Sequence, residues 1–571
     1  MRPALRSRVH KPFSKQRNRY LLRFLLILAA LFVIAAVSLY AYFSPGLRAV
    51  GWGEGTILVV GNVKKGAGHV RVEDREIYMA VGPLRQFIDP HFFWDEAEKT
   101  AVITTENRVI HMHSEQLTAE VNLEPVELQF PLQEEDGNLY LPLLFLSDFY
   151  NISVTHHPET GTVVIDHADE PAYLAEVMSR VRLREGPGLR YPYLAELEPG
   201  ERLRLEEKTG RGWCLVRTEK GLTGYLPLKK IAIRGDYPPS AVGQKPEAAP
   251  AVELPPPPLV MVWEFTYPNP NVDQIGSMPS LQVVSPTWFH LADSGGAIQN
   301  LADPAYVQWA RERGYQIWAM VSNSSNPDIT AAFLSSSESR KNFIKQLLIF
   351  TRLYDLDGLN LDFENFHYSY GALYTQLVRE LAPLCRAEGL VLSVDVTMVS
   401  NEPYWSRGFE RGALAEAADL IILMAYDEHW AGSQQPGPVA SLPWVERGLN
   451  RVLEEVPAEK LVLGVPFYTR VWQVESQGGG EVSVGSRALS MARIEELLAT
   501  RESVLEWDNS ARQNKARYFE GEDEYLLWLE DAVSMRQRLR LMRQYDLAGV
   551  AGWRRGLEKP EIWELFAEEL K

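Results

Sequence analysis

Cysteine is nearly absent, with Cys214 and Cys385 the two in 571 residues. They lie far apart, in segments assigned below to different domains, which argues against a disulfide framework or a cysteine metal site. Both read as small buried hydrophobes. Histidine is also sparse: His111-Met112-His113 and His156-His157 are its only clusters. No metal-ligand pattern of acidic or cysteine residues accompanies them, so they are expected as surface strand residues, with no metal and no cofactor. Acidic residues are missing from the first 23 positions, which hold eight Lys or Arg. The formal charge of −17 therefore leaves about −25 on the remainder, making nucleic acid an unsuitable partner for the folded part. Long apolar runs are missing too, except at residues 24–43, 20 positions without a charge. That length behind a basic flank is the pattern of a bilayer-spanning helix with its positive side in the cytoplasm. A cleaved signal peptide is the rival reading, although the run is longer than a usual signal core and no clear A-x-A site follows. The expected localisation is the cell membrane, single-pass, with everything after Ser44 outside the cytoplasm; the alternatives are a secreted or spore-associated protein.

At 46% hydrophobic and 11% aromatic the chain can bury several cores, so three or four domains are expected. After the basic segment (1–23) and the anchor (24–43) comes an internal repeat. Residues 78–104 and 140–166 match without gaps at an offset of 62, pairing Tyr78 with Tyr140, Leu84 with Leu146, Phe87 with Phe149 and Val102 with Val164. Each copy reads as short helix, strand, turn and strand, and two copies are expected to pack as one small α+β unit over 55–168. This segment resembles the repeat domain named after the N-terminal region of copper amine oxidases, a name that does not imply copper.

Residues 175–235 alternate strands with Gly and Pro turns, as in Arg184-Glu185-Gly186-Pro187-Gly188 and Gly221-Leu222-Thr223-Gly224-Tyr225. They resemble the bacterial SH3 family, which implies either wall binding or a spacer. A Pro-rich linker, 236–258, ends in four consecutive prolines.

From residue 259 onward, apolar strands alternate with amphipathic stretches. Eight strand candidates (260–266, 283–290, 316–321, 358–364, 391–398, 420–426, 461–468 and 549–553) fit a (β/α)8 TIM barrel over 259–571. The gap between the last two is too long for one crossover helix and should hold an α+β insertion at about 471–548. Trp507, Tyr518 and Tyr525 in it read either as cleft wall or as ordinary core. The expected fold class is thus multidomain: one N-terminal transmembrane helix, a small α+β repeat domain, an all-β SH3-like barrel and a C-terminal TIM barrel with an α+β insertion.

The fourth barrel strand carries the strongest signal, Asp357-Gly358-Leu359-Asn360-Leu361-Asp362-Phe363-Glu364. Side chains two apart share a strand face, roughly 7 Å from one another. Leu359, Leu361 and Phe363 on the other phase imply burial on both sides. Two carboxylates and a carboxamide in a row on an inner face are costly to desolvate, which points to chemistry rather than stability. Asp357 lies on the opposite phase and reads as structural, satisfying backbone donors at the strand's start.

Asp-Gly-x-Asn-x-Asp-x-Glu closely resembles the Asp-Gly-x-Asp-x-Asp-x-Glu signature of family 18 glycoside hydrolases. Met424-Ala425-Tyr426-Asp427 looks like that family's sixth-strand motif, Gly464-Val465-Pro466-Phe467-Tyr468-Thr469-Arg470 like its seventh, and Trp553 like the Trp ending its eighth. Ser285-Pro286-Thr287-Trp288-Phe289 and the segment 552–558 resemble the branch associated with spore-cortex and cell-wall lysis. The resemblance implies a retaining, substrate-assisted mechanism in which the substrate's 2-acetamido oxygen attacks the anomeric carbon. By resemblance Glu364 is the acid, Asp362 accepts the acetamido N–H, and Tyr426 holds the acetamido oxygen. Asn360, Asp427, Tyr468, Arg470 and Trp553 are substrate-binding candidates on the same ground, with a structural salt bridge as the alternative for Arg470.

Asn360 departs from the signature. It is expected to donate its amide to Asp362, which should then stay ionised over a wider pH range. The function implied is cleavage of β-1,4 bonds next to N-acetylglucosamine in peptidoglycan, with that glycan and the membrane as partners. The alternatives are a non-catalytic glycan-binding protein on the same fold and a chitinase.

Overall fold

A computed structural model of the protein describes residues 14–570, apart from 62, 136, 168–169, 171, 210–211, 237–250 and 478–480. Positions 1–13 of the expected basic segment and 237–250 of the expected linker lie outside the described residues. The chain separates into two compact units, one of 1–90 with 133–246 and one of 91–132 with 247–571.

The larger unit contains a closed parallel barrel. Its strands are β1 (Leu259–Glu264), β2 (Val283–Pro286), β3 (Gln316–Ser322), β4 (Gly358–Asp362), β5 (Val391–Thr397), β6 (Leu420–Met424), β7 (Leu461–Pro466) and β8 (Gly549–Trp553). β1 pairs with both β2 and β8, and the ring is completed through β7, β6, β5, β4 and β3 back to β2. The period-two pattern explains the layering. One phase, including Met261, Trp263, Trp318, Met320, Ile422 and Ala551, packs into a core inside the barrel, while Val260, Val262, Leu359, Leu361 and Val394 pack outward under the helices. Gly358 is required at the start of β4, because a Cβ there would lie 2.6 Å from the Val391 carbonyl oxygen.

All eight expected strands are present, most with shorter ends. β4 stops at Asp362, and Glu364 follows in the loop, where Asn323 accepts its backbone N–H at 3.0 Å and donates to its carbonyl at 2.6 Å. Asp357 accepts from the Ile317 backbone N–H at 2.7 Å and from Arg311 at 2.9 Å, the structural role expected of it.

Between β7 and β8 a five-stranded antiparallel sheet is inserted (Tyr468–Gln477, Glu481–Ser490, Val504–Asp508, Gln513–Glu520 and Asp523–Trp528), with a helix at Met491–Ala499. Tyr518 and Tyr525 stack at 4.7 Å in its core, whereas Trp507 is exposed. Helix Ala532–Gln544, capped by Asp531, then returns the chain to β8.

The smaller unit begins with helix Ser14–Phe43, long and apolar enough to cross a bilayer, its side chains exposed from Arg19 to Phe43. It also holds two four-stranded sheets and a seven-stranded SH3-like sheet spanning Tyr173–Val177 to Ile231–Asp236. Cys214 is buried in the SH3-like core and Cys385 in the barrel's outer core; both are free.

The two repeat copies start side by side, Glu76–Ala80 pairing antiparallel with Asn138–Pro142. Their hairpins then part. That of the second copy, Ile152–His157 with Thr162–His167, pairs with Ile57–Val60. That of the first, Phe93–Asp95 with Thr100–Thr104, joins three further strands and packs on the barrel helices. Val102 and Val109 enter the barrel's outer core, Phe93 lies under Arg340, and Asp95 accepts the Ser337 backbone N–H at 2.9 Å. Glu98 accepts the Glu338 N–H at 2.8 Å, so two acidic side chains cap helix Ser337–Leu353 from outside it. His111 corrects the expectation of a surface strand: it is buried, with both ring nitrogens lacking a partner among the described residues, and burial pushes its pKa down to about 3. A strand pattern fixes which side chains share a face, not whether a second domain covers that face.

This packing carries a stability prediction. A chain starting at residue 259 uncovers the barrel surface under Val102 and Val109, each worth about 1.5–3 kcal/mol when fully buried. Its barrel transition in calorimetry should fall by several degrees relative to the full chain; equal melting temperatures would show that the sheet only rests there.

Candidate active site

Asn360 points into the barrel and is fully engaged. Its carbonyl oxygen accepts from the Trp263 indole at 2.8 Å and from Ser285 at 3.3 Å, and its amide donates to Ser393 at 3.0 Å and Asp395 at 2.7 Å. The expected donation to Asp362 is therefore corrected: the amide goes to Asp395 on β5. The register explains it. Asn360 is level with Ser393, so Asp395, two residues on along the same face, lies within reach.

Asp362 at the end of β4 is buried, and its Oδ1 has no hydrogen-bond partner among the described residues. Burial, then the charges of Glu364 and Asp395, push its carboxyl well above the ordinary range. This corrects the expectation that it stays ionised over a wider pH range, because the amide that was to hold its charge serves Asp395 instead. Asp395 is likewise pushed up, first by burial and then by Glu364, against the favourable amide of Asn360. Glu364 rises from 4.5 to about 7, through burial and then the charge of Asp427. Two buried carboxyls and the half-buried Glu364 thus share one low-dielectric space and cannot all ionise near neutrality.

Tyr426, just beyond β6, faces the same group. Burial and the charges of Asp395, Asp362 and Glu364 hold its phenol protonated. Asp427, in the left-handed region at φ 61°, accepts the Tyr468 hydroxyl at 2.5 Å and lies 3.5 Å from the Arg470 guanidinium. Trp553 at the end of β8 packs edge-on to Trp263 at 5.7 Å, so it reaches Asn360 through one shared ring. All eight residues singled out in the sequence therefore fall in one connected region at the C-terminal ends of the strands.

Sequence reading gave no site role to Asp395, Trp263, Asn323 or Ser285, the last noted only within a family motif. Asp395 had a usable signal: Ser393, Asp395 and Thr397 alternate with Leu392, Val394 and Val396 just as the polar residues of β4 alternate with its leucines. An ion pair of the buried Glu264 with Arg555, at 2.8 Å, ties the end of β1 to the segment after β8. Among the described residues no group of three or more His, Cys, Asp or Glu is placed to hold a metal.

With this geometry in place, comparison with known proteins decides the family. Residues 304–558 match the model for glycosyl hydrolases family 18. The C-terminal domain is a family 18 glycosyl hydrolase. Residues 62–165 match the copper amine oxidase N-terminal domain, and 179–229 the bacterial SH3 domain. The chain is 27% identical to YdhD of Bacillus subtilis (strain 168), named as a sporulation-specific glycosylase, over 51% of this chain and 70% of the relative. It is 25% identical to the cortical fragment-lytic enzyme of the same organism, over 41% of this chain and 55% of that enzyme. Among solved structures, the C-terminal domain of a Desulfitobacterium hafniense DCB-2 protein named as a chitinase aligns with a TM-score of 0.50 at 21% identity, covering 55% of this chain and 99% of that one, and shares the fold.

The Asn360 environment gives the hydrolase a specific pH prediction. Asn360→Asp sets two carboxyls at the 2.7 Å now spanned by the amide and Asp395, so one must hold a proton. Relative to wild type, the variant should keep activity at mildly acidic pH and lose it toward neutral and alkaline pH, where a second charge would form. Superimposable kcat/KM profiles would contradict this placement.

Proposed function

We propose that the protein is a membrane-anchored hydrolase that cleaves β-1,4 bonds next to N-acetylglucosamine in peptidoglycan, with retention, using the substrate's own acetamido group as nucleophile. The observation that carries this reading is the buried Oδ1 of Asp362, an acceptor without a partner beside a carboxyl raised to about 7. Unsatisfied buried acceptors are rare and costly, and an acetamido N–H from the substrate would supply what is missing here.

Each role follows from its surroundings. Glu364, protonated at mildly acidic pH, gives its proton to the glycosidic oxygen as the acetamido oxygen attacks the anomeric carbon, and then takes a proton from the incoming water. Asp362 holds the acetamido N–H, and as the oxazolinium-like cation develops, negative charge on Asp362 stabilises it. The proton that Asp362 then gives up goes to the neighbouring Asp395 carboxylate, which the Asn360 amide holds in place. The Tyr426 hydroxyl, kept protonated, orients the acetamido oxygen. Trp553 supplies an apolar floor for the sugar, and Tyr468 and Arg470 fix Asp427, whose charge in turn raises Glu364.

Peptidoglycan is favoured over chitin by architecture. A hydrolase tethered by residues 24–43 and carrying an SH3-like module reaches its own envelope better than an external polymer, and relatives named for sporulation and cortex lysis share the hydrolase domain. The mechanism is tested with a thiazoline analogue of the oxazolinium intermediate. It should inhibit competitively and bind far more tightly than an equivalent oligosaccharide, because it carries the geometry of the intermediate. An analogue that fails to bind while substrate is turned over would exclude the acetamido route.

A further inference from the structure

The SH3-like domain holds a cavity of about 700 Å³ lined by Arg180, Arg182, Arg184, Lys229 and Lys230, five cations against the single carboxylate of Glu196. Trp213, Leu189, Val181 and Pro227 complete its wall. In a chain whose folded part is strongly acidic, such a concentration of positive charge stands out. Some of it is already engaged: Arg180 and Arg182 pair with Glu196 at 2.5 and 2.9 Å, and Arg184 donates to the Gly46 and Tyr191 carbonyls. Lys230 donates to Ser179, and Lys229 is exposed and has no partner among the described residues.

The cavity's position decides what it meets. Residues directly after the apolar helix are built into the same domain. Arg184 binds the Gly46 carbonyl, a Cβ on Gly46 would lie 1.7 Å from the Leu189 carbonyl oxygen, Val50 donates to Tyr193 at 3.0 Å, and Tyr193 donates to Arg48 at 3.1 Å. Arg190 reaches the Tyr42 hydroxyl in the helix's last turn at 3.3 Å. Two cavity residues, Arg184 and Leu189, therefore touch chain that leaves the helix within a few residues of Phe43. Leu47 and Leu189 are exposed at this point, at 64% and 59%, near the exposed Tyr40 and Tyr42 of the helix end, a residue type enriched at a membrane interface.

We propose that this cavity binds the phosphate of an anionic lipid headgroup in the bilayer that residues 24–43 cross. The inference rests on reading that helix as an anchor. It makes the SH3-like domain a membrane-seated base, with Leu47 and Leu189 at the interface, Lys229, unpaired among the described residues, free to meet a phosphate, and Lys230, which gives one of its three N–H donors to Ser179, supplying the second ammonium. An anionic wall polymer offers the same chemistry, but nothing ties it to the helix exit.

The test uses the full chain in nanodiscs of phosphatidylcholine with and without 30% phosphatidylglycerol, released into native mass spectrometry to count retained lipids. The wild type should hold phosphatidylglycerol beyond what Lys229→Glu/Lys230→Glu holds, at least tenfold enriched over phosphatidylcholine, and Lys229→Arg/Lys230→Arg should match the wild type. Equal retention by the wild type and the Glu variant, with both folded and active, would overturn the proposal. So would binding of soluble poly(glycerol phosphate) by the wild type in phosphatidylcholine discs with no extra phosphatidylglycerol retained. Failure of the chain to co-elute with nanodiscs at all would remove the anchor, and the inference with it, and is read separately from lipid counts.

Discussion

Glu364→Gln is expected to lower kcat by about 10²–10⁴-fold with little change in KM, because it removes the transferable proton and almost no volume. The same residue is expected to set the alkaline limb of the wild-type profile. Its carboxyl is raised from 4.5 to about 7 by burial and by Asp427, so kcat/KM should fall as pH passes about 7, where the acid is lost. Stability moves the opposite way. A carboxyl raised in the folded state contributes stability that is fully present below its unfolded pKa and is lost as pH rises through its folded pKa. At pH 8 the wild type therefore carries a desolvated charge that the Gln variant lacks. The inactive variant should melt at the same temperature or higher there, and the difference should vanish below about pH 4.5. A variant retaining near wild-type turnover would remove Glu364 from the mechanism; one that is inactive but clearly less stable at pH 8 would point to a structural role.

Asp362→Asn is expected to cost about 10²–10³-fold in kcat, the range for losing one preorganised electrostatic contact to the developing charge. The substituted amide also turns a donor toward the acetamido N–H if it keeps its position, and it cannot become anionic as the cation forms. Because burial and neighbouring carboxyls already hold Asp362 well above its ordinary range, loss of its charge should not destabilise the folded protein. Affinity for the thiazoline should drop in step with kcat, while affinity for an oligosaccharide that does not engage the acetamido pocket should hold. Undiminished thiazoline binding by the Asn variant would assign Asp362 to the scaffold.

Much of this was legible in the sequence because strands buried on both sides leave a period-two record. In β4 the alternation of Leu359 and Leu361 with Asn360 and Asp362 fixed which side chains face inward, and four motifs in chain order located the ends of β4, β6, β7 and β8. What a strand does not record is its register with its neighbours. Asn360 could be placed on the inner face, but its pairing with Asp395 depends on β5 standing level at Ser393, a property of barrel shear. The same limit hid the sheet at 93–127. Its first hairpin repeats the sequence of the second copy, so a local reading gives both hairpins the same partner. Contacts more than two hundred residues away, from Asp95 and Glu98 to Ser337 and Glu338, send the first one to the barrel instead. His111 was misjudged for that reason.

The central claim, that the hydrolase attacks the N-acetylglucosamine side of the peptidoglycan repeat through the acetamido group of that sugar, is tested most directly by digesting purified peptidoglycan with the full chain and identifying product ends by mass spectrometry after borohydride reduction. The account predicts reduced N-acetylglucosamine at every new end with wild type and none above background with Glu364→Gln. Reduced muramic acid at the new ends, or equal release by the two proteins, would contradict it.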